Sequence, residues 1–223
     1  MKTKNKIYII FLGAPGSGKG TQADMLGEYL NIPVISPGEL LRHEIETKSL
    51  LGRSIKKKLS KGQLVANDIV EKIIDKRISK KDTQNGFILD GYPRRLKQAS
   101  LLKDRLKKIT SQNSVLVIDI IIRDKVIKER VTGRRVCDCG ATYHLVNNPP
   151  KKKDVCDLCG LKLYQRDDDK HNVIADRLKH FHARVRKINK YLEKYYKIVK
   201  INGELSIKDT KNEIIKIVKN EIE

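Results

Sequence analysis

Short apolar runs alternate with longer amphipathic segments along most of the chain. The runs are brief, rich in Ile and Val, and mostly continuous in apolar character, which is typical of strands covered on both faces of a sheet. They predict five strands, at residues 7–13, 33–36, 86–92, 114–122 and 197–203. Between the strands, apolar residues recur at helical spacing in residues 18–30, 67–78, 97–109, 124–131, 173–196 and 207–222. This alternation predicts an α/β fold with a five-stranded parallel, doubly wound sheet, which binds ligands at the carboxyl ends of its strands.

Two segments depart from the alternation. Residues 37–65 contain short helical patterns between the second and third predicted strands, and residues 134–169 contain four cysteines and little helical pattern. We interpret both segments as insertions over the ligand-binding edge of the sheet. The core then comprises residues 1–36, 66–133 and 170–223. A chain of 223 residues is long enough for one sizeable hydrophobic core without disulfides.

Composition and charge limit the possible cellular location and binding partners of the protein. Gly-rich sequence follows the first apolar run where a signal peptide would need a cleavage site, and no apolar stretch approaches membrane-spanning length. We therefore expect a cytoplasmic protein without a membrane partner. The net charge of +21 is consistent with a nucleic-acid partner or with a substrate that carries several phosphates. Because the lysines are spread along the chain and only 5% of residues are aromatic, we favour solvated helix faces and expect no specific nucleic-acid partner.

The segment GAPGSGKGT, residues 13–21, follows the first predicted strand and opens a helix. It fits the pattern G-x-x-x-x-G-K in the strand–loop–helix context that a phosphate-binding loop (P-loop) requires. Glycines let successive backbone N–H groups turn toward phosphate oxygens, the helix N-terminus attracts negative charge, and Lys19 adds a mobile positive charge. The segment therefore predicts a polyphosphate-binding site.

The hydroxyl residue of this loop, Thr21, comes one position later than in the general pattern, because Gly20 follows Lys19. Direct ligation of Mg²⁺ by this hydroxyl is therefore not expected. Since Mg²⁺ keeps several waters and takes few protein ligands, a carboxylate that orients the hydrated ion is sufficient. Asp90, at the carboxyl end of the third predicted strand, is our candidate, and a carboxylate that only closes the strand-end turn is the alternative.

Arginines are concentrated near the ends of the predicted elements. They are Arg42, Arg94, Arg130, Arg134, Arg166 and Arg177. Any one of them alone would be interpreted as part of a surface ion pair. Together they suit transfer of a phosphoryl group between two phosphates, in which negative charge spreads over the equatorial oxygens. Such a reaction needs no general base, and we find no nucleophile–base pair in the sequence.

Five motifs resemble, in the same order, those of adenylate kinases of the long bacterial type with a zinc-binding lid. They are GAPGSGKGTQ, ISPGELLR, NGFILDGYPR, VTGRR and YQRDDD followed by ADRL, and the resemblance runs from about Ile7 to past Gly203. It implies a monomeric enzyme that reversibly transfers the γ-phosphoryl group of ATP to AMP with Mg²⁺, giving two ADP. It also implies that residues 37–65 are a mobile AMP-binding insertion and that residues 134–169 are a mobile lid over ATP.

The resemblance assigns roles to particular residues. Those for catalysis are Lys19, Asp90, Arg94, Arg134, Arg166 and Arg177. Those for ATP binding are Gly16, Ser17, Gly18, Lys19, Gly20, Thr21, Arg130, Arg134, Thr142, Tyr143 and Leu205. Those for AMP binding are Pro37, Arg42, Gln63, Leu64, Val65, Gly91, Tyr92, Pro93, Arg94, Gln98, Arg166 and Arg177.

Two positions depart from the family pattern near the predicted AMP site. Pro37 replaces a threonine, which removes a hydroxyl and stiffens the loop, and Arg95 replaces another threonine. Gln98 still favours AMP, because its amide offers both a donor and an acceptor to the adenine edge. A kinase that prefers CMP, UMP or GMP is the alternative.

Four cysteines lie in the second insertion as two close pairs, Cys137 and Cys139, then Cys156 and Cys159. In a reducing compartment such pairs more often ligate a metal than form disulfides. Four thiolates suit a structural zinc ion that is closed to substrate and supplies the folding energy of a small lid. The first pair is one residue shorter than the family's C-x-x-C and needs a sharp turn, for which Gly140 is suited. Replacement of one cysteine ligand by His144 and metal-free thiols are the alternatives.

A basic zinc-ribbon protein that binds nucleic acid is the alternative from another class. It would account for the charge and the cysteines. It would leave the phosphate-binding loop, Arg94 and Gln98 without a role.

Overall fold

The computed structural model of the chain describes residues 6–222 except Lys48 and Gly62. Residues 1–5 and Glu223 of the predicted core, and Lys48 and Gly62 of the first predicted insertion, therefore lie outside the described residues.

Five parallel strands form the central sheet of the described residues. They are β1 (Ile7–Gly13), β2 (Val34–Ile35), β3 (Gly86–Asp90), β4 (Val115–Ile121) and β7 (Lys197–Asn202). Their order across the sheet is β2-β3-β1-β4-β7, so β1 lies in the middle with its phosphate-binding loop at the carboxyl edge. The α/β fold with a five-stranded parallel sheet is confirmed.

Eight α-helices surround the sheet in the described part of the chain. They are α1 (Lys19–Leu30), α2 (Pro37–Glu46), α3 (Leu50–Leu59), α4 (Asn67–Ile78), α5 (Leu96–Ile109), α6 (Asp124–Gly133), α7 (His171–Leu192) and α8 (Ile207–Ile222). All six predicted helices are present, with ends displaced by a few residues. The last helix before β7 ends at Leu192 instead of about Tyr196, since the chain turns there to enter β7.

Side chains of β1 alternate between two hydrophobic clusters, one on each face of the sheet. Tyr8 and Ile10 belong to a cluster with residues of α4, α5 and α7. Ile9 and Phe11 belong to a cluster with residues of α1 and α8. Because successive side chains of a strand point to opposite faces, a continuously apolar strand needs helices on both sides. The apolar runs of the sequence therefore reflect a sheet buried on both faces.

Four of the five predicted strands are shorter in the structure, although the fourth loses only one residue at each end and the fifth only its last residue. The second has two residues instead of four, because Pro33 has no N–H for a ladder and Ser36 already caps α2. The third ends at Asp90, where Gly91 adopts a positive φ of 65° and turns the chain into the cleft.

The second predicted insertion contains a small sheet of its own. β5 (Arg134–Val136) pairs in antiparallel orientation with β6 (Thr142–His144), and a bridge joins Val136 to Tyr164. A separate small cluster of buried residues lies beneath this sheet, formed by Cys137, Tyr143, Cys156 and Leu163. None of the described helices is both long enough and apolar enough to cross a membrane.

Candidate active site

The loop between β1 and α1 has the conformation of a phosphate cradle. Gly16 and Gly18 have φ values of 79° and 92°, which non-glycine residues adopt at a cost. A Cβ on Gly16 would lie 2.4 Å from Cγ2 of Val131, so no side chain fits there. α1 begins at Lys19, whose Nζ donates to the carbonyl oxygen of Ala14 at 3.1 Å. The free N–H groups at the start of α1 therefore face the carboxyl edge of the sheet.

A cleft of about 520 Å³ opens at this edge. Most of the predicted catalytic, ATP-binding and AMP-binding residues line it. They are Gly16, Ser17, Gly18, Lys19, Gly20, Thr21, Pro37, Arg42, Leu64, Val65, Asp90, Gly91, Tyr92, Arg94, Gln98, Arg130, Arg134, Thr142, Tyr143, Arg166, Arg177 and Leu205. Two predicted AMP residues do not line it. The backbone N–H of Gln63 donates to the carbonyl oxygen of Lys58 at the end of α3, and Pro93 is buried.

Lys19 and Arg94 approach each other in the middle of the cleft. A Cβ on Gly91 would lie 3.0 Å from Cε of Lys19 and 3.1 Å from Nη2 of Arg94, so glycine makes room for both cations. Burial lowers the pKa of Lys19 to about 8, and the nearby Asp90 carboxylate opposes this shift. Burial also lowers the pKa of Arg94, although part of its side chain faces the open cleft. One polyphosphate can therefore contact both cations.

Asp90 has the chemistry expected of a carboxylate beside a hydrated Mg²⁺. Its Oδ1 is buried and has no hydrogen-bond partner among the described residues. A Cβ on Gly20 would lie 3.3 Å from its Oδ2, so a larger residue at position 20 would press on the carboxylate. Since Mg²⁺ prefers oxygen ligands and retains waters, these residues fit the ion.

A buried carboxylate holds two of the predicted catalytic arginines. Asp169 is fully buried and pairs with the guanidinium of Arg134, whose Nε donates to Oδ2 at 2.7 Å. Arg177 donates to Oδ1 of the same carboxylate at 2.9 Å and to the carbonyl oxygen of Asp168 at 2.6 Å. Burial opposes ionisation of Asp169, but the hydrogen bonds and charge of Arg134 outweigh it and lower its pKa. The two guanidiniums are thereby fixed in the lining of the cleft.

A second group of cations lies at the start of α2. Pro37 occupies the first turn of this helix, where its missing N–H costs nothing. A Cβ on Gly38 would lie 3.5 Å from Arg42 and 3.7 Å from Arg94. The carboxylate of Glu39 lies 3.8 Å from Arg42 and 3.8 Å from Arg166, which belongs to the second insertion. The two predicted insertions therefore meet across the cleft.

The Gly91–Arg94 turn is anchored from behind by a partly buried network of hydrogen bonds and ion pairs. The hydroxyl of Tyr92 donates to the Glu71 carboxylate at 2.9 Å. Arg105 pairs with the same carboxylate and with Asp75. The network joins α4 to α5 and holds Tyr92, which is 1% exposed, in place.

Comparison with known proteins gives the family of this fold and cleft. Residues 11–197 match the family model described as adenylate kinase. Among curated proteins, the adenylate kinase of Caldicellulosiruptor bescii is 42% identical over 209 residues, covering 93% of this chain and 97% of that protein. The chain belongs to the adenylate kinase family. It is therefore a nucleoside monophosphate kinase, a phosphotransferase, as the sequence predicted.

Two further adenylate kinases show that the match extends over nearly the whole chain. That of Methanothrix thermoacetophila is 42% identical over 210 residues, covering 94% of this chain and 97% of the relative. That of Thermosipho melanesiensis is 40% identical over 212 residues, covering 95% and 99%.

The four cysteines of the chain converge in its second insertion. Their sulfur atoms all lie within 4.8 Å of one another, and all four cysteines are free. The short first pair can converge because Gly140 has a φ of 94° and donates its N–H to the carbonyl oxygen of Cys137 at 3.0 Å. Four clustered thiols fit a tetrahedral zinc site. His144 is not part of the cluster, since its Nδ1 accepts from the N–H groups of Val146 and Asn147 at 3.1 Å.

Several residues at the cleft were not predicted from the sequence. Asp24 lines the cleft, where burial and the charge of Glu39 raise its pKa to about 6. Asn147 and Asn148 line the end near Thr142. Asp169 could have been suspected from the YQRDDD motif, because a run of acidic residues beside a predicted catalytic arginine favours ion pairing. Asp24 leaves no signal in the sequence, since it lies on the polar side of an ordinary helix.

Proposed function

We propose that the enzyme binds ATP and AMP end to end in this cleft and transfers the γ-phosphoryl group directly between them, giving two ADP. One observation carries the proposal: Lys19 and Arg94 meet at Gly91, between the P-loop and α2. The transferred group carries its negative charge where these cations converge. Catalysis is then mainly positioning and charge stabilisation.

The proposed donor end combines the P-loop with the lid. The loop from Gly16 to Thr21 would hold the phosphates of ATP, and Arg130 with Thr142 and Tyr143 would enclose the nucleoside. All of these residues line the same cleft, which supports this assignment. Mg²⁺, when bound, neutralises the polyphosphate, and the buried Asp90 would orient its waters.

The proposed acceptor end lies between α2 and α5. Arg42 and Arg94 would bind the phosphate of AMP, and Gln98 would meet the edge of its base. The approach of Arg42 and Arg94 to Gly38 supports a shared anion site. Arg134, Arg166 and Arg177 would bridge the phosphates of both substrates from the side of the lid.

The domain division is part of the proposal. Residues 37–65 would close over AMP and residues 134–169 over ATP, excluding water that would otherwise take the phosphoryl group. A zinc ion held by the four cysteines would stiffen the lid. We further propose that the enzyme works as a monomer in the cytoplasm, where the four thiols stay reduced.

The experiment that tests the acceptor is a comparison of ADP release with AMP, CMP, UMP and GMP, each with ATP and Mg²⁺. We expect AMP to have the highest kcat/KM. Faster turnover of a pyrimidine nucleotide would overturn the proposed acceptor. The variant Arg94→Met serves as a negative control, because it removes the charge on which the transfer depends.

A further inference from the structure

Behind the acceptor end of the cleft, Arg95 joins two segments that the proposed function assigns to AMP. Its Nη1 donates to Oδ1 of Asn67, in the first turn of α4, at 2.9 Å. Its Nη2 lies 3.4 Å from the carbonyl oxygen of Leu64. Both Arg95 and Asn67 lie outside the lining of the cleft. Arg95 therefore acts on the site only through other residues.

Asn67 links Arg95 to Gln98 through a shared hydrogen-bond acceptor. The Asn67 oxygen that accepts from Arg95 also accepts from Nε2 of Gln98 at 3.2 Å. Oε1 of Gln98 accepts from the backbone N–H of Arg94 at 2.8 Å. The three side chains and this N–H form one continuous hydrogen-bonded chain.

The chain of contacts fixes which way round the Gln98 amide lies. A guanidinium can only donate, so Asn67 must turn its oxygen toward Arg95. That oxygen can only accept, so Gln98 must turn its NH₂ group toward Asn67. The Gln98 oxygen then faces the Arg94 N–H. A flipped amide would set oxygen against oxygen and N–H against N–H.

The orientation matters because Gln98 still has hydrogen-bonding capacity for a ligand. Its side chain lines the cleft, and the contacts above use one of its two N–H groups and one of its two oxygen lone pairs. Adenine presents an accepting ring nitrogen beside a donating amino group. Hypoxanthine and guanine present the reverse, a donating ring N–H beside an accepting carbonyl, on a ring system of similar size. The direction of the amide therefore distinguishes these two classes of purine.

We propose that Arg95, acting through Asn67, is a positioning residue for the specificity of the acceptor site. Together with the backbone N–H of Arg94, it fixes the order of donor and acceptor that Gln98 presents, and so selects 6-aminopurine over 6-oxopurine monophosphates. The inference rests on the proposed function, because it requires Gln98 to meet the acceptor base. A site built around hydrogen bonds rejects a ligand that leaves its polar groups unpaired.

The test is steady-state kinetics with AMP, IMP and CMP as acceptors, with the nucleotide products separated by chromatography. We expect Arg95→Ala and Asn67→Ala to raise the IMP-to-AMP ratio of kcat/KM about three- to tenfold, the effect of one hydrogen bond. Asn67→Asp keeps the wild-type ratio, because a carboxylate still accepts from both neighbours. The CMP-to-AMP ratio stays unchanged, since cytosine has the same order of acceptor and donor as adenine.

A matched control is Arg77→Ala. Arg77 lies on the same helix, α4, and pairs with Asp82 at 2.7 Å on the outer surface, away from Gln98. Because each ratio is measured on one preparation, a fraction of unfolded protein cancels. An unchanged IMP-to-AMP ratio in Arg95→Ala, or the same rise in Arg77→Ala or Asn67→Asp, would overturn the inference while AMP turnover stands. Wild-type enzyme that prefers IMP to AMP would instead contradict the proposed acceptor.

Discussion

The charge of Lys19 depends strongly on its surroundings. It is buried among cations, and its nearest counter-charge is Asp90. A lysine that stabilises a transferring phosphoryl group must be protonated. Because burial lowers its pKa to about 8, a small rise in pH above neutrality discharges it in the free enzyme.

The first prediction is a pH profile. We expect kcat/KM for ATP to fall as pH rises through about 8, since this ratio reports ionisations of the free enzyme. Asp90→Asn removes the charge that raises the pKa of Lys19, so the decrease in kcat/KM should occur at lower pH in this variant. Glu28→Gln, a loss of one exposed charge from the same helix, is the control. If kcat/KM decreases at the same pH in the wild type and in Asp90→Asn, Lys19 is not the titrating group.

Some residues of the candidate site could be predicted from the sequence, and others could not. The P-loop and Arg94 were predicted because they follow strands directly, and the carboxyl ends of parallel strands meet at one edge. Asp24 was not predicted, because its raised pKa comes from burial in the cleft and from the charges of Glu39 and Asp90, which are distant in sequence. Pairing of Arg134 and Arg177 by one buried carboxylate likewise depends on tertiary contacts.

At the scale of elements, strands and long helices were predictable because each buries a continuous or periodic set of apolar residues. β5 and β6 were not, since three-residue strands leave no pattern in the sequence. Their stability comes from elsewhere. The small cluster beneath them has few apolar side chains, so a metal held by the cysteines would supply most of the folding free energy.

The second prediction concerns this insertion. Protein purified without added zinc should contain about one zinc per chain by metal analysis. Cys159→Ser should lose the metal and raise KM for ATP more than KM for AMP, with far-UV circular dichroism nearly unchanged because the core stays folded. Lys152→Ser, an exposed change in the same insertion, is the control. A metal-free preparation with full activity would refute the structural role of zinc.

The third prediction concerns the contact between α4 and α5. Tyr92→Phe removes the hydrogen bond to the buried Glu71 and should cost about 1 kcal/mol of unfolding free energy. For a domain of this size the melting temperature should then fall by about 2–4 °C. Tyr8→Phe is the control, because Tyr8 is also buried and its hydroxyl makes no hydrogen bond within the described residues. Equal shifts for both variants would argue against the network.

At the scale of the whole molecule, the net charge of +21 surrounds a cleft for polyphosphates. The resulting electric field attracts anionic substrates over distances longer than the Debye length, so added salt screens this attraction effectively. The order of elements could be predicted from the sequence, but the meeting of the two insertions at Glu39 could not. That contact depends on how two separate segments fold over one edge.

The fourth prediction is a salt dependence. Raising KCl from about 0.05 to 0.5 M should raise KM for ATP several-fold and change kcat little. The reason is that salt screens the long-range attraction of ATP to the enzyme more than the short-range contacts of bound ATP. Three exposed lysines of α3 can be changed to Gln together: Lys56, Lys57 and Lys58. In this variant KM for ATP should depend less steeply on the salt concentration. Parallel curves for both proteins would mean that the distant lysines do not contribute.

Glu39 gives the cleft a counter-ion of its own. Before nucleotide binds, this carboxylate lies between Arg42 and Arg166 and offsets the repulsion of two like charges. In the proposed function, an arriving phosphate would displace this carboxylate from the two guanidiniums, and the carboxylate would return when ADP leaves. Each turnover would then exchange one anion for another at Arg42 and Arg166, and part of the binding energy of the phosphate would go into displacing Glu39.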